Sequence, residues 1–88
     1  MKIIITGASR GIGYDTALTL AAHDQHRILA LSRNTARLDE LKTTARERHA
    51  HNPIDTLPFD LTNPDWPQLA AAVRKLGGVD ILINNAGL

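Results

Sequence analysis

The sequence predicts an α/β fold, with helices layered on both faces of a parallel sheet. Three observations predict it. Short continuous apolar runs, of the kind buried on both faces, alternate with segments of helical periodicity. Seven such segments, in the order β-α-β-α-β-α-β, occupy the 88 residues, and this alternation calls for crossover connections between parallel strands. A single Tyr, Phe and Trp leave the core to aliphatic side chains, as in helix-covered parallel sheets.

The first strand is the β-branched run Lys2 to Thr6, closed by Gly7. Ile12, Thr16, Ala17, Leu20 and Ala21 then recur with a period near 3.6, and the polar turn His23-Asp24-Gln25-His26 ends that helix. The second strand is Arg27 to Ser32. Asn34 is placed to cap a helix with Leu38, Leu41 and Ala45 as its buried stripe and Arg37, Glu40, Lys42 and Glu47 on its wet side. A weaker strand falls around Asp55 to Asp60. Pro58 removes a ladder donor there and assigns it to a sheet edge. Asn63-Pro64-Asp65 opens a third helix, with the stripe Trp66, Leu69, Val73 and Leu76 and a stop at Gly77-Gly78. Val79 to Asn84 is the last strand. Internal repeats, low-complexity tracts and an interdomain linker are all absent from the sequence.

Composition excludes several function classes. Ten Lys and Arg against nine Asp and Glu leave a net charge of +1, without the bulk charge of a nucleic-acid binder. The basic cluster Arg46, Arg48, His49 is balanced by Glu47 and lacks interleaved aromatics. With no cysteine, disulfide frameworks, thiolate metal sites and cysteine nucleophiles fall away together. The four histidines (His23, His26, His49 and His51) fall at helix ends and loops with no carboxylate placed as a further ligand, so no metal is expected. No apolar stretch approaches the roughly 18 residues of a membrane span, and no signal-peptide core follows Met1. A cytoplasmic protein with no membrane partner is the expectation. The length fits one small domain or part of a larger one.

The chemistry is concentrated in the turn Thr6-Gly7-Ala8-Ser9-Arg10-Gly11-Ile12-Gly13, between the first strand and the first helix. Gly7 permits a tight exit from the strand, Gly11 a close approach of backbone to a diphosphate, and Gly13 close packing of the helix on the sheet. Free amides at the helix start and the positive end of its dipole then face the phosphates. Glycines also populate ordinary turns. This triplet has a strand before it, a helix after it and a second strand ending about 20 residues on, which is the setting of a dinucleotide site. No Gly-Lys-Ser/Thr follows, which argues against a nucleotide triphosphatase. The second strand ends at Arg33, where an acidic residue would hold the ribose 2′-hydroxyl of NAD. A guanidinium there favours the 2′-phosphate of NADP instead. Arg10 projects from the same side of the pocket and Ser32 offers a hydroxyl. The competing reading makes both arginines solvated surface charges.

The turn Thr6 to Gly13, the pair Asp60-Leu61 after the third strand, and Asn84-Asn85-Ala86-Gly87 after the fourth resemble the short-chain dehydrogenases/reductases, over the whole chain and in order. The resemblance implies a Rossmann-type sheet of strand order 3-2-1-4, incomplete at its C-terminal side. Residues 1–88 would then be the N-terminal NADP-binding part of a single domain. It implies phosphate and ribose contacts at Gly7, Ser9, Arg10 and Ile12 within the turn 7–13, and an NADP selector at Ser32 and Arg33. Asp60 would accept from the adenine amino group and Leu61 would line the adenine slot. Asn85, Ala86 and Gly87 would pass the cofactor's ribose, and Asn84 would tie adjacent strands. For Asp60, the alternative is a helix N-cap for the segment Thr62-Asn63-Pro64, and both roles stand open. Asp15 departs from the small apolar residue common at its position and is expected to be exposed or locally bonded.

Hydride transfer in that family uses a Ser and a Tyr-x-x-x-Lys pair beyond the Asn-Asn-Ala-Gly motif. The one tyrosine here, Tyr14, sits in the first helix and cannot fill that role. No residue of this chain is therefore assigned to catalysis. The resemblance implies a longer NADP(H)-dependent oxidoreductase interconverting a small-molecule carbonyl and alcohol, assembled as a homodimer or homotetramer. The rival is a non-catalytic dinucleotide-binding or regulatory module, or a truncated protein without activity. The last strand, lacking a partner on its outer side, is expected to leave Ile81, Leu82 and Ile83 at an open edge.

Overall fold

The computed structural model describes residues 1–23, 25–48 and 53–85. Strands and helices alternate as β1 (Lys2–Thr6), α1 (Gly11–Ala21), β2 (Arg27–Ser32), α2 (Thr35–Glu47), β3 (Asp55–Pro58), α3 (Trp66–Leu76) and β4 (Ile81–Asn84). The strands pair in parallel in the order β3-β2-β1-β4. Ile4 of β1 stands opposite Leu29 of β2 on one side and Leu82 of β4 on the other. The sheet grows outward from β1 through β2 to β3, then returns to the opposite side of β1. That reversal opens a crevice beyond the carboxyl ends of β1 and β4, where open α/β sheets take their ligands.

Successive strand residues face opposite sides, so each apolar run feeds two cores. Ile3, Ile5, Ile28 and Ala30 pack with Ala17 and Leu18 of α1 and Leu38 and Leu41 of α2. Ile4, Leu29, Leu31 and Leu57 pack with Phe59 and Leu76, and Leu69 and Val73 of α3 lie against them. This division explains why the strands read as continuous rather than alternating hydrophobic runs.

The helix boundaries follow from local chemistry. The Asn34 side chain accepts the Arg37 amide at 3.0 Å and starts α2. Asp65 does the same for α3 through the Gln68 amide at 3.1 Å. Gly77, at φ 98°, closes α3 in the left-handed conformation that a Cβ would oppose.

The structure corrects several expectations. Ile12 is 77% exposed, because the first turn of α1 begins beyond the end of β1 and the sheet does not reach it; Leu18 takes its place in the core. Trp66 is 60% exposed and touches the core only by tilting over Phe59, ring centroids 5.9 Å apart. β3 stops at Pro58, although the Phe59 amide still donates to the Ser32 carbonyl at 2.9 Å. β4 begins at Ile81 rather than Val79, since Asp80 is engaged at the start of β1: its carboxylate accepts the Lys2 amide and its own amide donates to the Lys2 carbonyl, both at 2.7 Å. β3 lies at one edge, as Pro58 requires, and an Arg27–Asp55 ion pair of 3.1 Å ties it to β2. At the other edge Ile81 and Leu82 are exposed and Ile83 is half-buried. His49 and His51 lie outside the described residues. Among the described residues no helix is long and apolar enough to cross a membrane.

Leu41 is fully buried between α2 and the sheet. Leu41→Ala is expected to lower unfolding stability by about 3 kcal/mol through lost transfer energy and the cavity left behind. A urea titration followed by circular dichroism measures it.

Candidate functional site

The loops leaving β1, β2 and β3, together with Asn85 after β4, surround a cleft of about 1170 Å³ at one end of the sheet. Its base is the turn between β1 and α1. Gly7 and Gly11 hold φ of 63° and 60°, a region that other residues enter only with strain. A Cβ on Gly11 would meet nothing within 4 Å, so open space lies over the backbone there. Gly13 is constrained differently. A Cβ on it would stand 2.5 Å from both the Gly7 carbonyl oxygen and the side-chain nitrogen Nδ2 of Asn85. The helix thus packs against the turn and the residue after β4, rather than simply against the sheet face as the spacing suggested.

Thr6 stitches the crevice between β1 and β4. Its hydroxyl donates to Asn84 Oδ1 at 2.9 Å and accepts the Asn85 amide at 3.0 Å. Asn84 therefore ties adjacent strands, as expected. The Asn85 side chain reaches back to the Gly7 carbonyl at 3.4 Å and lines the cleft. Ala86 and Gly87 lie outside the described residues.

The walls bring most of the remaining candidates together. Gly7, Ser9 and Arg10 come from the first loop, Ser32 and Arg33 from the second, and Asp60 and Leu61 from the third. Ala8 does not reach the cleft. It is fully buried, and its amide donates to the Leu31 carbonyl at 3.2 Å, which fixes the turn against β2. Gly11 and Ile12 are exposed at the first turn of α1, beside the lining rather than in it. The Ser32 hydroxyl oxygen accepts the Asn34 amide at 3.1 Å, leaving its hydrogen to be donated.

Asp60 caps a turn and not the third helix, whose cap is Asp65. Asp60 Oδ1 accepts both the Thr62 hydroxyl, at 2.7 Å, and the Thr62 amide, at 2.9 Å. Those two bonds, the side-chain one foremost, hold the carboxyl below its ordinary range, and the nearby Arg33 charge adds to the effect.

Sequence reasoning missed several contributors. Phe59 walls the cleft, and its only local sign was a lone aromatic next to Asp60. Asn34 and Thr35 enter the lining because the start of α2 directly follows Arg33. Arg37, assigned to the wet side of α2, turns back: its Nε donates to the Ser9 carbonyl at 2.8 Å and its guanidinium stacks over Tyr14, 5.0 Å from the ring centroid. Tyr14 donates its hydroxyl to Thr44 at 3.1 Å, a bond between helices. Asp15 is exposed, as expected.

The first turn of α1 has no side-chain cap, whereas α2 and α3 both do. Uncapped amides beneath open space, with Arg10 and Arg33 on the walls, suit an anionic group at one end and a flat ring beside Leu61 and Phe59 at the other. The family model for short chain dehydrogenases matches residues 1–88. The chain belongs to that family. The short-chain dehydrogenases bind nicotinamide dinucleotides, and the residues present fit such a group: the uncapped helix start and the turn for its diphosphate, the apolar pair for its adenine.

L-Xylulose reductase of Mesocricetus auratus is 36% identical over 87 residues, covering 99% of this chain and 32% of that one. The NADP-dependent 3-hydroxy acid dehydrogenase of Schizosaccharomyces pombe is 32% identical over 90 residues, covering 98% of this chain and 34% of that one. An NAD+-bound xylitol dehydrogenase superposes with a TM-score of 0.82 at 30% identity, covering 99% of this chain and 33% of that one. The chain thus spans about a third of the length of each of these relatives.

With its folded-state pKa lowered by the Thr62 bonds, Asp60 contributes stability that is fully present above the unfolded-state value and is lost as pH falls through the lowered one. Thr62→Val removes the larger of the two bonds. It is expected to move the Asp60 titration upward toward the ordinary carboxylate range, as read by carboxyl chemical shifts across an acid titration.

Proposed function

We propose that this chain is the adenosine- and diphosphate-binding part of an NADP(H)-dependent oxidoreductase that interconverts a carbonyl and an alcohol. The cleft flanked by Arg10 and Arg33 above an uncapped helix start carries this reading. The diphosphate rests on the amides of the turn 7–13, which Gly7 and Gly11 leave free of side chains. Gly13 allows the close approach beneath them. Ser32 and Arg33 meet the 2′-phosphate from the end of β2, and Arg10 meets it from the turn. Both arginines are exposed, so they approach the ligand without first breaking a buried pair.

Asp60 is held ionised by Thr62, ready to accept from the adenine amino group, and Leu61 and Phe59 flank the ring. Asn85 follows the ribose, a role that the motif Asn84-Asn85-Ala86-Gly87 extends by resemblance to Ala86 and Gly87. The dinucleotide supplies hydride chemistry when bound. The residues described here bind and orient it, and the groups that move a proton on the substrate belong, in this reading, to a longer protein. Tyr14 is not among them, since its hydroxyl is spent on Thr44 between two helices. The family's members generally act on small molecules and form oligomers, and a homodimer or homotetramer is proposed for this protein as well.

The choice of NADP over NAD rests on charge at residue 33. An S. pombe relative is NADP-dependent and a xylitol dehydrogenase neighbour holds NAD+, so family membership leaves that choice to the local residues. Arg33→Asp in the full-length protein is expected to lower the ratio of NADPH to NADH affinity by at least about tenfold, since a charge-assisted bond is replaced by repulsion. Calorimetric titration with both nucleotides measures it, and an unchanged ratio overturns the assignment of Arg33.

A further inference from the structure

Arg37 is the one long-range side-chain tie between α2 and the glycine turn among the described residues. Its Nε holds the Ser9 carbonyl at 2.8 Å, its Nη1 reaches Glu40 at 2.8 Å, and its planar face lies on Tyr14 of α1. Three contacts of different kinds therefore meet at one side chain: a backbone carbonyl of the turn, a carboxylate on its own helix, and a ring on the neighbouring helix, itself held by its hydroxyl's bond to Thr44. A solvated surface arginine would need none of them.

The consequence follows from peptide geometry. A trans peptide is planar, so fixing the Ser9 carbonyl fixes the whole Ser9–Arg10 unit, with the Arg10 amide pointing the opposite way. Arg10 is the N-cap of α1, in extended conformation at φ −161° and ψ 165°, and its side chain makes no capping bond. The Ala8 amide holds the turn against β2, but among the described residues no backbone hydrogen bond outside the helices and strands reaches the Ser9–Arg10 peptide itself. The Arg37 bond supplies the missing constraint. It also spans the two segments that carry the charged walls, because α2 begins two residues after Arg33 and the turn carries Arg10.

We infer that Arg37 is a positioning residue for nucleotide binding, which orients the Ser9–Arg10 peptide of the diphosphate turn and sets its distance from the start of α2. This rests on the nucleotide reading of the cleft. Arg37 does not touch the ligand; it acts through the turn. Its loss should weaken a ligand that rests its diphosphate on the turn more than one that has no diphosphate.

The test compares NADPH with 2′-AMP, which carries the 2′-phosphate and adenine without a diphosphate, on full-length protein and its Arg37→Met variant. Methionine keeps an apolar stem for Tyr14 and removes every donor. The expected result is about a tenfold weaker NADPH affinity with a smaller loss for 2′-AMP, which meets Arg10 but none of the turn's amides, as suits the loss of one hydrogen bond from a charged donor. Equal NADPH affinity in the two proteins overturns the inference. So does an equal loss for both ligands, which marks general loosening rather than positioning. If the Met variant does not fold, Arg37→Lys is measured with the same pair of ligands. A loss of about threefold for NADPH that exceeds the loss for 2′-AMP supports the inference, and no loss or an equal loss overturns it. Failure of the unaltered protein to bind NADPH overturns the cleft reading itself, and is distinguishable from every other outcome because it needs no variant.

Discussion

The close approach of α1 to the exit of β1 is the constraint on which the rest of this structure depends. Gly13 sits where any side-chain carbon would collide with the Gly7 carbonyl and with Asn85. That single contact brings together the ends of β1 and β4 and the start of a helix. Thr6 reinforces it from the side of the strands by bonding to both Asn84 and Asn85. Widening the gap by the radius of one methyl group would separate the turn from the crevice, and the helix start would no longer overlook the space that the strand order opens. Fold and site are thus set by the same few atoms.

Much of this arrangement was legible in the residues. The four strands were visible because strands covered on both faces need continuous apolar runs, and the two cores confirm that each such run is divided between faces. Pro58 placed its strand at the edge without any knowledge of the neighbours. Asn34 was legible as a cap because the side chain acts on an amide three residues away, a distance that sequence preserves. What was illegible depends on position in three dimensions. Ile12 has the right spacing for the core stripe, but the helix outruns the sheet at that end. Trp66 likewise has the right phase and too little sheet beneath it. Arg37 meets a carbonyl 28 residues away, and no periodicity reports such a contact.

Asp60 shows how two readings of one residue can be separated by geometry. A capping role for the third helix and a ligand-facing role both suited an aspartate after a strand. The structure gives the helix cap to Asp65 and leaves Asp60 in a tight turn of its own, with Thr62 occupying one oxygen. The turn does what a helix cap would have done for the carboxylate, since donors aimed at it favour the charged form. It does so on the cleft wall, next to Arg33, where opposite charges face a shared space.

Trp66, which the core does not bury, acquires a different significance from its neighbour. Phe59 is shared between the second core and the cleft wall, and the indole leans on it from outside. Because these 88 residues hold one tryptophan, their indole emission comes from one place, a single ring removed from the cleft. A ligand that fills the cleft lies against Phe59, the ring on which the indole leans. These 88 residues therefore carry an optical probe of occupancy that needs no label.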